Sequence, residues 1–191
     1  SVRNISEKFY SSKFIRHMPP TIFTRNVLKI HKFYKRHKKI VIKPTNGYAG
    51  KGILFIDKNF NIKLVNKLLN KTGHVMVQKF LPAVSKGDKR VFIINGNVCG
   101  AIRRVPPKGS ILSNISQGGS AIKTTLNYKE KKISTIIAKD LLKNNVYFAG
   151  IDFVSNFIIG DINITSPTGL AQYKQLTGND LSKVFWDGLI Y

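Results

Sequence analysis

A run of glycines between two short β-strand patterns is the feature that most limits how this chain folds. The first pattern occupies residues 40–43 and the second residues 53–56, and both are rich in isoleucine. Between them, Gly47, Gly50 and Gly52 let the backbone approach a ligand and present N–H groups to phosphate oxygens. A Walker A loop would need Ser or Thr after Gly-Lys and then a helix, and this segment has neither. It therefore predicts a strand–loop–strand hairpin, either one that covers nucleotide phosphates or an ordinary glycine-rich turn.

Short strand patterns alternate with amphipathic helical patterns along the rest of the chain. Within residues 89–105, Asn95-Gly96-Asn97 marks the turn of a hairpin. The other predicted elements are helices at residues 6–17, from about 27 to 34, 61–71 and 129–142, and strands at 75–81, 146–154 and 158–164. The sequence thus predicts an α+β fold with short, mainly antiparallel strands and covering helices.

The formal net charge of +23 is the strongest bias in the composition. A polyanion such as nucleic acid would reward this excess of Lys and Arg through counterion release. Drift in composition is the competing explanation, because the chain has 25 Lys but 7 Arg and is also rich in Ile and Asn. The lysines are spread over most of the length, so drift is favoured and nucleic acid is not the expected partner.

The cysteine count and the apolar runs exclude several other classes of protein. One cysteine, Cys99, leaves no internal disulfide framework and no cysteine-cluster zinc site. No apolar run approaches the ~20 residues that cross a bilayer, and charged residues interrupt the first stretch where a signal peptide would lie. These features predict a cytoplasmic protein without a membrane partner.

Two acidic residues stand within otherwise apolar strand patterns. Asp161 and Asn163 are two residues apart, so on one strand their side chains share a face. Asp152 lies on the neighbouring predicted strand. Carboxylate and amide oxygens suit Mg²⁺, whereas a buried Asp that only caps a turn is the alternative for each residue alone.

Two arginines also fall in predicted strands, where a charge on the interior face is costly unless it is paired or faces a ligand. These are Arg90 and Arg104, and the planar guanidinium of each matches phosphate or carboxylate oxygens. Because Arg103 and Arg104 are adjacent, one of them must face inward, and we favour Arg104. The alternative is that each arginine points to solvent.

Several stretches of the chain, taken in order, form a recognisable set. They are Ser6-Glu7-Lys8, Met18-Pro19-Pro20-Thr21, Thr24-Arg25-Asn26, Ile42-Lys43-Pro44, Gly47 to Gly52, Gln78 to Pro82, Gly87-Asp88-Lys89-Arg90, Asn114 with Gly118-Gly119, Gly150-Ile151-Asp152 and Asp161 to Thr168. Together they resemble the ATP-grasp portion of the bacterial glutathione synthetase family. The resemblance covers essentially the whole chain, and the stretches around Arg90 and Thr168 are its most specific parts.

This resemblance implies an ATP-grasp fold with two subdomains of mainly antiparallel sheets and covering helices. Residues 1–81 would form the central subdomain with the phosphate loop. Residues 82–191 would form the C-terminal subdomain with the metal and substrate groups. The family's N-terminal domain is expected to be absent, because the chain begins about where that domain ends.

The resemblance also implies a role for each matched residue. Lys8 and Lys43 would hold the ATP phosphates from the central subdomain, under the small loop that contains Gly47, Gly50 and Gly52. Gln78, Lys79, Phe80 and Leu81 would meet adenine, largely through backbone groups, and Asp88 would contact the ribose. Asp152, Asp161 and Asn163 would bind magnesium. Arg90 and Arg104 would act at the transferred phosphate, Ser166, Thr168, Asn114 and Gly119 would contact the dipeptide substrate, and residues 106–120 would form a lid.

The implied reaction is an ATP-dependent ligation of γ-glutamylcysteine to glycine through an acyl phosphate. Its cofactors would be ATP and Mg²⁺, with Mn²⁺ as an alternative metal. Beyond the small-molecule substrates, the expected partners are other copies in a homo-oligomer or a separate chain that carries the N-terminal domain.

Some residues depart from the family pattern where the substrates would bind. Leu112 replaces a usual Arg, Ala171 and Gln172 replace Arg-Glu, and Asp161 replaces a Glu, which shortens the metal ligand by one methylene. These departures, together with the expected absence of the N-terminal domain, support a Mg-ATP-binding remnant without ligase activity as an alternative to the ligase. A basic nucleic-acid-binding protein is the second alternative, and it rests on the net charge of +23.

Overall fold

A computed structural model describes residues 7–46, 52–107 and 118–189, apart from the side chain of Asp161. The helices are α1 (Glu7–Tyr10), α2 (Val27–His37), α3 (Ile62–Thr72), α4 (Tyr128–Lys143), α5 (Leu170–Thr177) and α6 (Leu181–Asp187), with 3-10 turns at Ser11–His17 and Pro82–Lys86. The strands are β1 (Thr21–Thr24), β2 (Ile40–Pro44), β3 (Leu54–Ile56), β4 (Val75–Lys79), β5 (Asp88–Ile94), β6 (Asn97–Val105), β7 (Ser120–Lys123), β8 (Phe148–Val154) and β9 (Phe157–Asn163). No helix in these ranges is long and apolar enough to cross a membrane.

One unit, Met18–Pro82, is a four-stranded sheet in the order β1-β4-β2-β3 with antiparallel neighbours. Its helices α2 and α3 turn apolar side chains, including Ile30 and Val65, into a core shared with Ile42 and Val77. Because these helices must begin where the chain leaves a strand, their first N–H groups need acceptors. The side chains of Asn26 and Asn61 supply these acceptors at α2 and α3.

The other unit contains a five-stranded antiparallel sheet in the order β7-β6-β5-β8-β9. Helix α4 buries Ile137 and Leu141. Helices α5 and α6 bury Tyr173 and Leu181 in a cluster with Phe92. A capping box at Asn127 and Glu130 begins α4, in which each side chain accepts from the other residue's backbone N–H.

The predicted α+β class is confirmed, as are its short antiparallel strands and covering helices. The compact units, however, group the described residues 7–17 with those from 83 onward, because α1 and the following 3-10 turn contact β9. This placement differs from the expected central subdomain of residues 1–81. The functional boundary at 81/82 itself stays a prediction.

Strand β7 has no counterpart among the predicted elements. It pairs with β6 from Ile102↔Lys123 to Val105↔Ser120, and it thereby extends the five-stranded sheet. The predicted loop at 106–120 ends where this strand begins. Residues 108–117 lie outside the described part of the chain.

A glycine beside the sheet tests how tightly the start of β5 is packed. Gly87 has φ +90°, and a Cβ there would overlap the carbonyl oxygen of Arg104. Gly178, in the same unit, has φ +79° and open space around it. Both Gly→Ala changes should cost about 1–2 kcal/mol for the left-handed backbone. Gly87→Ala should cost roughly 2 kcal/mol more because of overpacking. Urea unfolding of the two variants measures this difference, and equal costs would contradict it.

Candidate functional site

Four buried charges form one cluster across the central strands β6, β5 and β8. Arg90 donates from Nε and Nη2 to the two carboxylate oxygens of Asp152, both at 2.7 Å. Arg104 donates from Nε and Nη2 to Asp88, at 2.7 and 2.9 Å, and its Nη2 also lies 2.9 Å from Asp152 Oδ2. All four residues are at most 5% exposed. The two predicted arginines therefore do face inward.

The sheet register brings these charges together. Asp88 lies opposite Arg104 on β5 and β6, and Arg90 lies opposite Asp152 on β5 and β8. Side chains two residues apart on a strand share a face, so Asp88 and Arg90 point to the same side of β5. Two cations and two anions then balance in charge. This balance offsets the desolvation that each ion would otherwise suffer.

The cluster keeps Asp152 ionised. Burial alone would raise the pKa of Asp152, but the charges and hydrogen bonds of Arg104 and Arg90 outweigh burial and lower the pKa to about 2. Burial would also lower the pKa of Arg104, whereas Asp152 and Asp88 raise it, and the net shift is upward. At neutral pH the site thus holds fixed anions and fixed cations side by side.

Each guanidinium is held through the same edge, by Nε and Nη2. Because the guanidinium group is a planar fork, this arrangement turns Nη1 away from the carboxylate that it grips. Nη1 of Arg90 makes a long contact of 3.4 Å with the carbonyl oxygen of Thr168. The Nη1 groups are therefore the donors best placed to meet an anionic ligand.

Asn163 extends the cluster on β9. Its Nδ2 donates to Asp152 Oδ2 at 3.2 Å and to the carbonyl oxygen of Gly150 at 3.3 Å. The β8–β9 ladder changes register between Ile151 and Phe153, beside Asp161. The backbone of Asp161 belongs to β9, but its side chain lies outside the described part of the structure.

The oxygen atoms of these residues are suitable ligands for a hard cation. Asp152 offers an ionised carboxylate, and Asn163 offers an amide oxygen opposite its bonded nitrogen. The described side chains contain no group of three or more His, Cys, Asp or Glu residues suited to a metal. Because arginines already engage both oxygens of Asp152, a cation at this carboxylate must share them with a guanidinium.

In the 18–82 unit a second polar chain holds a buried lysine. Lys43 donates to Gln78 Oε1 at 3.4 Å, Gln78 Nε2 donates to Thr21 Oγ1 at 3.0 Å, and Thr21 donates to the carbonyl oxygen of Pro19 at 2.7 Å. Lys43 and Gln78 are 8% and 3% exposed. The Lys43 ammonium thus has an acceptor in the Gln78 amide, which Thr21 anchors from its other side.

The segment expected to meet adenine is partly bonded within its own unit. Lys79 and Phe80 donate their backbone N–H groups to the carbonyl oxygens of Pro20 and Lys39, at 2.9 and 3.0 Å. The Phe80 ring lies 4.6 Å from the ring of Phe55, centroid to centroid. Base recognition here would therefore fall to carbonyl groups, to Leu81 and to this aromatic pair.

The remaining expected site residues fall in several places. Lys8 is buried on α1, in the unit of residues 83 onward and not with Lys43 as the resemblance implied. Gly52 has φ +73° beside Pro44, and Gly119 precedes β7. Ser166 and Thr168 are exposed between β9 and α5. Gly47, Gly50 and Asn114 lie outside the described residues.

Sequence reasoning assigned no role to two residues that the structure brings to these groups. Thr21 anchors Gln78, and Glu7 accepts three hydrogen bonds from Ile164 and Thr165. Both lie in stretches that carry the resemblance described above. The scarcity of glutamate, present only twice in the chain, was a further signal for Glu7.

Comparison with known proteins identifies the family. The family model described as the prokaryotic glutathione synthetase ATP-grasp domain matches residues 7–178. The chain belongs to this family. A glutathione synthetase of Synechocystis sp. is 35% identical over 180 residues, which is 93% of this chain and 56% of the relative. One from Prochlorococcus marinus subsp. pastoris is 37% identical over 185 residues, which is 95% of this chain and 60% of the relative.

Solved structures agree on the fold. The ATP-grasp ligase PsnB, complexed with a minimal precursor, superposes with a TM-score of 0.73 at 18% identity, over 99% of this chain and 61% of that one. At this identity the likeness concerns the fold alone, and it confirms the expected ATP-grasp architecture. The chain spans about 60% of the length of the curated glutathione synthetases that it matches.

The low pKa of Asp152 predicts an acid-sensitive stability. The folded pKa of about 2 lies below the ordinary value of 3.8, so the stabilisation is complete above pH 3.8 and is lost as pH falls through 2. The free energy of unfolding of the wild type should fall by about 2 kcal/mol between pH 5 and pH 2 on this account. Chemical denaturation at each pH measures it. Asp187→Asn should keep this fall and Asp152→Asn should lose it, and an unchanged fall in Asp152→Asn would contradict the prediction.

Proposed function

We propose that this chain is the ATP-dependent part of a carboxylate–amine ligase of the glutathione synthetase type, acting on γ-glutamylcysteine and glycine. Membership of the family supports the reaction class. Among the contacts within the chain, the buried cluster of Arg90, Arg104, Asp88 and Asp152 carries the proposal. A sheet centre stabilised by apolar packing alone has no use for four desolvated charges.

In this proposal the two arginines stabilise the charge of the transferred phosphoryl group. Their carboxylate partners fix each guanidinium by one edge, so the Nη1 groups stay oriented without reorganisation during the reaction. Preorganised cations in a water-poor site interact more strongly with phosphate than the same cations in water.

The proposal also assigns the contacts of the nucleotide. We assign the phosphates of ATP to Lys8, Lys43 and the loop with Gly47, Gly50 and Gly52, adenine to Gln78–Leu81, and the ribose to Asp88. The polar chain through Gln78 and Thr21 supports the role of Lys43, because it gives the buried ammonium an anchored hydrogen-bond acceptor. A role of Asp88 at the ribose requires its carboxylate to serve a hydroxyl as well as Arg104.

We assign Mg²⁺ to Asp152, Asp161 and Asn163, with Mn²⁺ as the alternative metal. Bound there, the cation would neutralise phosphate charge. The chain's own contribution is to keep Asp152 ionised and to hold Asn163 against it. Arg90 and Arg104 share Asp152, which keeps this carboxylate fixed in the absence of the metal.

The chemistry would proceed in two steps. A carboxylate oxygen of γ-glutamylcysteine attacks the γ-phosphorus of ATP, the bond to the β,γ-bridging oxygen breaks, and ADP leaves. The glycine amine then attacks the acyl phosphate, loses a proton, and expels inorganic phosphate as the amide forms. We assign the dipeptide to Asn114, Gly119, Ser166 and Thr168, and positioning of the reactants supplies much of the rate. The proposed protein partners are other copies of the chain in a homo-oligomer or a separate chain that carries the N-terminal domain.

A second candidate is Mg-ATP binding without ligation. The observation that favours it is the first turn of α5, where Ala171 and Gln172 offer no charge to a substrate carboxylate. They are the second and third residues of α5, which begins at Leu170. The N-cap of this helix is Gly169, which has a left-handed backbone conformation and makes no side-chain capping bond. In this case nucleotide would bind and no amide would form.

ADP release distinguishes these candidates. The chain is incubated with ATP, Mg²⁺, γ-glutamylcysteine and glycine, alone and with the N-terminal portion of the Synechocystis relative. The ligase predicts ADP release that requires both substrates. Nucleotide binding with no substrate-dependent ADP release would support the second candidate and overturn the first.

Substitution of Arg90 tests the role of the cluster. Arg90→Lys keeps the charge but cannot both grip Asp152 with two parallel bonds and present a further donor. Substrate-dependent ADP release should fall about 100-fold, as for loss of one preorganised donor. Lys174→Ala, which removes an exposed ion pair with Asp180, is the control and should retain the wild-type rate. Equal rates for the two variants would contradict the assignment.

A further inference from the structure

Glu7 lies outside every role assigned so far, yet one of its oxygens is a hub of hydrogen bonds. Oε1 accepts from the backbone N–H of Ile164 at 2.8 Å, from the N–H of Thr165 at 3.0 Å, and from Thr165 Oγ1 at 2.8 Å. Three donors converge on a single carboxylate oxygen. Hydrogen bonds to an ionised acceptor are roughly twice as strong as neutral ones.

The bonded segment begins directly after the end of β9. Residues 164–169 belong to neither β9 nor α5, so the N–H groups of Ile164 and Thr165 have no place in a strand ladder or a helix. Successive N–H groups outside regular structure form a concavity that suits an anion. The carboxylate of Glu7 fills this role from a different part of the chain, 157 residues away from Ile164.

The hydrogen bonds of Glu7 connect two groups of the proposed site within one unit. Glu7 directly precedes Lys8 on α1, and this helix packs against β9. Ile164, which donates to Glu7, directly follows Asn163, whose amide donates to Asp152. Further along the same segment, the carbonyl oxygen of Thr168 accepts from Arg90. The segment 164–168 is thus fixed at its beginning by Glu7 and at its end by the charged cluster.

We infer that Glu7 is a positioning residue that sets the metal-binding strand end at Asn163, and the segment that follows it, relative to α1. The inference rests on the proposed function, because it concerns how Asn163 holds a cation. Glu7 touches neither the metal nor a substrate. It acts through the backbone of Ile164 and Thr165, in the way that groups behind a metal ligand orient it.

A purely structural role would be that Glu7 only keeps α1 attached to the unit. The chain offers a matched control for this possibility, since the hydroxyl of Tyr10 on the same helix donates to Asp140 of α4. Tyr10→Phe removes this hydrogen bond of α1 and leaves the bonds of Glu7 to Ile164 and Thr165 in place. Both Glu7→Ala and Tyr10→Phe should lower the melting temperature.

The deciding measurement is the Mg²⁺ concentration that half-saturates binding of a non-hydrolysable ATP analogue, together with the metal-free affinity for that analogue. Loss of a group that orients a metal ligand weakens metal binding about 10-fold or more. Glu7→Ala should therefore raise this concentration about 10-fold, with the metal-free affinity within about twofold of wild type. Tyr10→Phe should leave both values at those of the wild type.

Two conservative variants keep the test decisive if Glu7→Ala fails to fold. Glu7→Gln retains an oxygen acceptor at the same reach and should restore most of the Mg²⁺ response. Glu7→Asp keeps the charge but shortens the side chain by one methylene, and it should behave as Glu7→Ala does. An Asp variant with the wild-type Mg²⁺ response would overturn the inference, because charge near α1 would then suffice.

The possible failures are distinguishable. If the wild-type chain shows no Mg²⁺-dependent nucleotide binding, the proposed function fails and this inference fails with it. If the wild type responds to Mg²⁺ and Glu7→Ala responds as Tyr10→Phe does, only the inference about Glu7 is overturned. Faster amide hydrogen exchange at Ile164 and Thr165 in Glu7→Ala, with the altered Mg²⁺ response, supports it.

Discussion

The pairing of one buried carboxylate with two arginines is the interaction on which the five-stranded sheet depends. Asp152 is ionised and 5% exposed, so removing either guanidinium would leave a charge without compensation in a low-dielectric interior. Each partner occupies a fixed register position on β5 or β6. A slip of one residue would turn these side chains to the opposite face of the sheet. The cluster therefore selects the strand register as well as the chemistry of the site.

The sequence predicted the elements that rest on local signals. The Asn95-Gly96 turn, with positive φ at both residues, and the β-rich runs on either side of it were enough to predict that hairpin. Strand β7 was not predicted, because four residues of mixed polarity become a strand only by pairing with β6. Its signal is tertiary and does not appear in a local pattern.

For the site, the sequence placed Arg90 and Arg104 in predicted strands and favoured an inward position for Arg104, but it did not indicate their partners. The shared use of Asp152 by both arginines depends on the order β6-β5-β8. The contact between Glu7 and Thr165 joins residues 158 positions apart in the sequence, and no periodicity encodes such a contact. The packing of α1 on β9 is likewise a long-range contact, and it places Lys8 in the compact unit of residues 83 onward.

The asparagine caps of the helices show where this chain can absorb a biased composition. Asn26, Asn61 and Asn127 begin α2, α3 and α4, and asparagine is among the best residues at an N-cap. Isoleucine is similarly suited to buried strand positions such as Ile42 and Ile102. A coding bias towards Asn, Ile and Lys thus changes many sequence positions of this fold at little cost in stability. The charged cluster does not accept such changes, because lysine cannot form the two parallel hydrogen bonds of Arg90 or Arg104.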